Sequence, residues 1–273
     1  MAQHVAVLMG GWSAEREVSL VSGAACVKAL SEVGFNVTPI DVQPDIRALL
    51  DCLHPKPDAI FNALHGRYGE DGCIQGVLNI LGIPYTHSGI LASALAMDKP
   101  MAKSLFATAG IPIARHEIKS QQDILAGNMM KKPYVIKPAN EGSSVGVYII
   151  PEGNNELPFG QDEWPFGQYV MVEEFIPGRE FTVAVMQDRA LAVTEIMTAR
   201  EFYDYDAKYI DGGSIHVVPA QIPDNLSTQF MDYAILAHKV LGCRGVSRAD
   251  FRYDGEKIYM LEVNTQPGMT PTS

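Results

Sequence analysis

A short apolar run, Val5-Ala6-Val7-Leu8-Met9, stops abruptly at Gly10-Gly11, and the alternation it opens restricts the folds available to this chain. Five apolar residues in a row suit a strand covered on both faces, as in a parallel sheet. A helix is predicted from about 15 or 19 to 33, then a strand over 35–42, a helix over 45–53 and a strand over 59–64. Strand–helix–strand order of this kind builds a parallel α/β sheet, whose ligands gather outside the carboxyl ends of its strands. Gly10-Gly11 lies at such an end. So does the loop Leu64-His65-Gly66-Arg67-Tyr68-Gly69-Glu70-Asp71-Gly72, dense in glycine and polar groups. Taken singly these signals are weak. The glycine pair serves equally as a tight turn, Glu15 and Glu17 suit the first turn of any helix, and a lone loop histidine is usually incidental.

A helix over 74–81 follows, and Ser88-Gly89 opens another that breaks near Asp98-Lys99-Pro100. Proline fits the first turn of a new helix reaching 109, so a domain boundary is expected near 95–100. Beyond it the chain changes character. Pro133-Tyr134-Val135-Ile136-Lys137-Pro138 reads as a strand carrying a lysine, and Glu141-Gly142-Ser143-Ser144-Val145-Gly146-Val147 as a small-residue loop. Such a loop is either a plain β-turn or a phosphate cradle with the lysine as neighbouring point charge; Lys137 tips the balance towards phosphate. Residues 151–168 read as a surface connection. A strand over 169–176 ends in Pro177-Gly178, where backbone groups can meet a flat base, and strands over 180–186 and 190–196 form an antiparallel pair. The polar and aromatic segment 200–209 suits either a lid or a solvated loop. A helix over 225–241 stops at Gly242.

The chain closes on a hairpin turned by Asp254-Gly255. Period-two spacing puts Arg248 and Asp250 on one side of its first strand and Glu262 and Asn264 on one side of its second. Charged residues alternating on a hairpin are often only its solvated face. Here they lead into Asn264-Thr265-Gln266-Pro267-Gly268, a turn that lets backbone approach a ligand, and two carboxylates with an amide oxygen suit Mg²⁺.

Composition narrows the partners. The net charge of −11 speaks against nucleic acid or an anionic membrane as main partner. Cys26, Cys52, Cys73 and Cys243 are too scattered for a metal site and read as reduced thiols, and with no signal peptide or membrane span in view a cytoplasmic location is expected.

Together the motifs 10–19, Ala63-Leu64-His65-Gly66, Met97-Asp98-Lys99, Ile136-Lys137-Pro138, 141–147, Tyr203-Asp204-Tyr205-Asp206-Ala207-Lys208-Tyr209 and 261–270 resemble the D-alanine–D-alanine ligases of the ATP-grasp superfamily, in the same order and over nearly the whole chain. The resemblance implies an N-terminal α/β substrate-binding domain (1–96), a central ATP-grasp subdomain (97–178) and a C-terminal ATP-grasp subdomain (179–273). The family pattern continues past the position of Ser273, so the last part is expected to be short of the family's full length. The implied activity joins two D-alanines for peptidoglycan synthesis: ATP phosphorylates one carboxylate, and the second amine attacks the acyl phosphate.

The same resemblance implies roles residue by residue. Asp250, Glu262 and Asn264 would hold Mg²⁺ or Mn²⁺, two ions being expected. Lys99, Lys137 and Lys208 would meet phosphates, Glu173, Glu174, Phe175 and Ile176 would form the adenine hinge, and Glu180 would meet the ribose. Glu174 stands where many members carry a basic residue. Glu15 would anchor the first substrate's ammonium within a hydrogen-bonded group that includes Ser143 and Tyr209, with His65 nearby. Arg248 and the backbone of Gly268 would stabilise the oxyanion, and Ser273 would hold the second carboxylate. A homodimer is expected. A D-lactate or D-serine ligase, or an impaired nucleotide-binding fragment, are the alternatives.

Overall fold

The computed structural model describes residues 2–127, 129–140, 146–153, 157, 159, 164, 167–197 and 214–270. The N-terminal part runs β1 (His4–Gly10), α1 (Arg16–Glu32), β2 (Asn36–Val42), α2 (Ile46–Cys52), β3 (Ala59–Asn62) and α3 (Cys73–Ile80). Its three strands lie parallel in the order β2-β1-β3, as the alternation predicts. Strand β1 is apolar on both faces because both are covered. Ala6 and Leu8 pack with Leu49, Leu53, Ile74 and Leu78 from α2 and α3, whereas Val7 and Met9 pack towards Cys26 of α1. Asp45 caps α2, accepting from the backbone N–H groups of Arg47 and Ala48.

Helices α4 (Ile90–Met97) and α5 (Lys99–Thr108) meet at Asp98, which caps α5 by accepting from Met101 N–H at 3.0 Å. The boundary expected near here falls between two packed helices, and Ala96 of α4 already belongs to the core of the sheet that closes the chain. Next come β4 (His116–Ser120), α6 (Gln121–Leu125), β5 (Tyr134–Pro138), β6 (Tyr148–Ile150) and β7 (Tyr169–Glu174). These strands form an antiparallel sheet in the order β4-β7-β5-β6. The pair β4–α6 is not marked by the sequence patterns above: His116-Glu117-Ile118-Lys119-Ser120 is an edge strand of mostly polar residues.

The last part contains β8 (Arg179–Met186), β9 (Arg189–Met197), β10 (Ile215–Val217), α7 (Asp224–Val240), β11 (Val246–Tyr253) and β12 (Ile258–Asn264). Its five strands are antiparallel in the order β10-β9-β8-β11-β12. One face is apolar and carries α7 and α5, with Phe181, Phe230 and Phe251 fully buried against one another. The other face is polar.

Candidate active site

The polar face is built by alternation on three strands. On β11, Ala249 and Phe251 enter the core while Arg248, Asp250 and Arg252 point away from it; on β8, Phe181 and Val183 are buried while Glu180 and Thr182 join the polar side. Strand β12 reaches the same face by a different route. Asp250 lies opposite Glu262, but Phe251 lies opposite Met260, so Leu261 is an extra, bulged residue. The bulge shifts the phase: Ile258 and Met260 stay in the core, whereas Glu262 and Asn264 turn to the polar face. The break is visible in the sequence, because the buried positions Ile258, Met260 and Val263 do not keep a period of two.

Asp250 is buried and fully engaged. Its Oδ1 accepts from Thr182 Oγ1 at 2.7 Å and from Arg248 Nε at 2.9 Å; its Oδ2 accepts from Arg248 Nη2 at 2.8 Å and from Asn264 Nδ2 at 2.9 Å. Glu262 pairs with Lys99 Nζ at 3.4 Å. The face thus gathers two carboxylates and a side-chain amide, hard oxygen donors of the type Mg²⁺ or Mn²⁺ takes, with a lysine and an arginine beside them. Among the described residues no group of three His, Cys, Asp or Glu side chains stands together as a metal cage.

A second set arrives from the N-terminal part. Gln266 is clasped there: its Oε1 accepts from Asn62 Nδ2 at 2.7 Å, and its Nε2 donates to the Leu64 carbonyl. Two residues past Gly268, in the same turn, sits Thr270; between them Met269 donates its N–H to Ser22 Oγ at 3.2 Å. Ser22 also meets His65 Nε2 at 3.3 Å, and Ser13 Oγ donates to the His65 carbonyl at 2.7 Å. Glu15 is buried immediately after the glycine turn at the end of β1. A Cβ on Gly66 would lie 2.6 Å from Glu15 Oε2, and φ there is +67°, so glycine is required for this approach. Burial holds the His65 ring at a pKa of about 4, aided by His87 and then by the positive charge of Arg248. His65 is therefore neutral at pH 7, with its ring against Ser22.

Glu70 was not singled out by sequence. It accepts from Gly66 N–H at 3.0 Å and lines a small cavity of about 20 Å³ with Lys99, Glu262, Asn264 and Thr265. Burial and then the Glu15 carboxylate push its pKa well above the ordinary range.

The third cluster sits on the central sheet. Lys137 on β5 donates to Glu173 Oε2 on β7 at 2.5 Å, and the fully buried Lys103 of α5 pairs with Glu173 Oε1. Burial alone would raise the Glu173 pKa, but Lys103 and Lys137 outweigh it and bring it below the usual range. Beyond Glu173, the N–H groups of Glu174 and Phe175 donate to the carbonyls of Arg115 and Pro133, so these two amides serve the fold. The Glu174 side chain is exposed, and a basic residue is not needed for these backbone bonds. The Ile176 carbonyl accepts from Arg252 Nε at 3.1 Å, and Arg252 Nη1 donates to Glu180 Oε2 at 3.1 Å. Arg252, missed in the sequence, ties the expected hinge to the expected ribose contact. Ser143, Lys208, Tyr209 and Ser273 lie outside the described residues.

The chain as a whole is similar to known proteins. Family models described as D-ala D-ala ligase C-terminus and D-ala D-ala ligase N-terminus match residues 105–273 and 48–88. A D-alanine–D-alanine ligase of Rhodospirillum rubrum is 58% identical over 274 residues, covering 100% of this chain and 91% of the relative. One from Acidiphilium cryptum is 55% identical, covering 99% and 90%. The crystal structure of a Bacillus anthracis D-alanine–D-alanine ligase complexed with ATP aligns with a TM-score of 0.79 at 31% identity, covering 100% of this chain and 89% of that one. The parallel N-terminal sheet and the two antiparallel sheets are accordingly those of an ATP-grasp protein, and the chain belongs to the D-alanine–D-alanine ligase family.

Proposed function

We propose that this chain joins two D-alanines into D-alanyl-D-alanine, with ATP consumed to ADP and phosphate, for peptidoglycan synthesis. The reading is carried by the contacts that link three sets: the Asp250–Glu262–Asn264 face is joined to Lys99 through Glu262, the Glu15–His65 loops are tied to the following turn by Gln266, and Lys137 is linked through Glu173 and Lys103 to Met260 of β12. A free carboxylate is a poor electrophile. Transfer of the γ-phosphoryl group to it creates an acyl phosphate, and the second amine then displaces phosphate, losing a proton as the amide forms. Lysines near the phosphates and Arg248 near the reacting carbonyl would neutralise charge as it develops. Asp250, Glu262 and Asn264 would hold Mg²⁺ or Mn²⁺, which when bound supplies charge neutralisation at phosphate oxygens. Glu15 would bind the first ammonium, with neutral His65 beside it, and Gly268 would present its backbone to the oxyanion. Ile176 and its neighbours would meet adenine, and Glu180, oriented by Arg252, the ribose.

We further infer three functional parts, 1–96, 97–178 and 179–273, a homodimer and a cytoplasmic site of action. Among the described residues no helix is long and apolar enough to cross a membrane. A D-lactate or D-serine acceptor is not favoured, since relatives 52–58% identical over nearly the whole chain carry the D-alanine–D-alanine name. The test is phosphate release from ATP and Mg²⁺ with and without D-alanine, with the product identified by mass. Release that requires D-alanine and yields the dipeptide is expected; release without dipeptide would overturn the acceptor assignment.

A further inference from the structure

Helix α5 carries two lysines one turn apart, and they do different things. Lys99 opens the helix and meets Glu262. Lys103, four residues on and on the same side, has no exposure to solvent, a rare state for lysine. Its Nζ donates to the Met260 carbonyl of β12 at 3.2 Å and pairs with Glu173 of β7. One ammonium thus joins the helix to both antiparallel sheets. Burial draws its pKa down, with Glu173 opposing.

The charges around Glu173 do not cancel. One carboxylate faces two lysines, each on its own oxygen, while the adjacent Lys99 and Glu262 compensate each other. A buried cluster with a surplus positive charge is costly unless an anion completes it. Were Lys103 apolar, Glu173 and Lys137 would form a neutral pair, and Lys137 would have no charge to offer a phosphate.

We propose that Lys103 is a positioning residue for the nucleotide: by neutralising Glu173 from behind, it frees the positive charge of Lys137 for the triphosphate. The inference rests on ATP as the nucleotide of this cleft. It makes the buried side of the cluster a determinant of phosphate affinity although Lys103 itself touches no phosphate.

The experiment compares binding of a non-hydrolysable ATP analogue and of adenosine, by calorimetry with Mg²⁺, in three full-length proteins: unchanged, Lys103→Met, and Lys103→Met with Glu173→Gln. Lys103→Met is expected to weaken the triphosphate analogue by about 10- to 30-fold, the size of one unit charge removed at close range in a partly screened site, with adenosine changed by less than about twofold. The double variant removes both charges and restores the net charge of the wild-type cluster through Lys137; because Glu173 also belongs to the expected adenine hinge, it is read as the ratio of analogue to adenosine affinity, which is expected to return to near the unchanged protein's value. Unchanged triphosphate binding in Lys103→Met would overturn the proposal. So would parallel loss of adenosine and analogue in both variants, which would make Lys103 a support of the fold alone. If the unchanged protein binds adenosine but gains nothing from the triphosphate, the ATP reading itself falls, and the proposal with it.

Discussion

Asp250 keeps no idle lone pair: a threonine, the Nε–Nη2 edge of an arginine and an asparagine amide occupy its two oxygens. If a cation is held at this face, Asn264 would have to turn its amide so that the oxygen replaces the NH₂, and Arg248 would have to give up part of its pairing with Asp250. Glu262, the second carboxylate of this face, pairs with Lys99 at 3.4 Å. Glu262→Ala is expected to reduce turnover by more than the roughly 10- to 100-fold that loss of an outer partner of a metal ligand costs. Phosphate release measured across a Mg²⁺ titration checks this. Near-normal turnover at limiting Mg²⁺ would remove Glu262 from the metal site.

At the scale of elements, the turn between β7 and β8 depends on one glycine. Gly178 has φ +103°, and a Cβ there would stand 2.2 Å from the Tyr253 carbonyl oxygen of β11. Gly178→Ala combines a strained backbone with a collision against a neighbouring strand. It should destabilise the protein by about 2–4 kcal/mol, read as a lower melting temperature, and should misplace the Arg252 contact to Ile176. Most elements were legible in the sequence because their patterns are regular: the buried run of β1, the capped α2 and α5, the amphipathic α7. The strand β4 was not, since an edge strand bearing His116, Glu117 and Lys119 shows no apolar period. The site was legible where two residues share a strand face, as Arg248 and Asp250 do. Lys103 and Arg252 were hidden because a cation in a sequence looks like surface, and only packing reveals that it faces a buried carbonyl or carboxylate. Glu70 was hidden for the same reason. The bulge at Leu261 left a trace in the broken spacing of Ile258, Met260 and Val263, but its meaning depends on the partner strand.

For the whole molecule, two buried histidines contribute to the loss of stability in acid. His65 and His87 are both held at a pKa of about 4, first by burial; for His87 the Asn62 backbone pulls the other way. Their folded pKa values lie below the unfolded value near 6.5, so the unfolded chain binds more protons between these limits. The stability they permit is whole above about pH 6.5 and is lost as pH falls towards 4, by up to about 3 kcal/mol for His65. Melting temperature is expected to drop over that window. His87→Asn, which tolerates the left-handed backbone at φ +68°, should make the drop shallower; an unchanged slope would show that His87 does not titrate with unfolding.

The clasp of Gln266 onto Asn62 joins positions 204 residues apart, and the Met269–Ser22 bond spans 247. Contacts this distant in sequence form late, after the local elements. On a ribosome, which extends a chain by about 5–20 residues per second, the N-terminal sheet would be complete long before its partner turn emerges. Glu15 and His65 would wait, correctly folded but facing nothing, until residue 266 has left the exit tunnel.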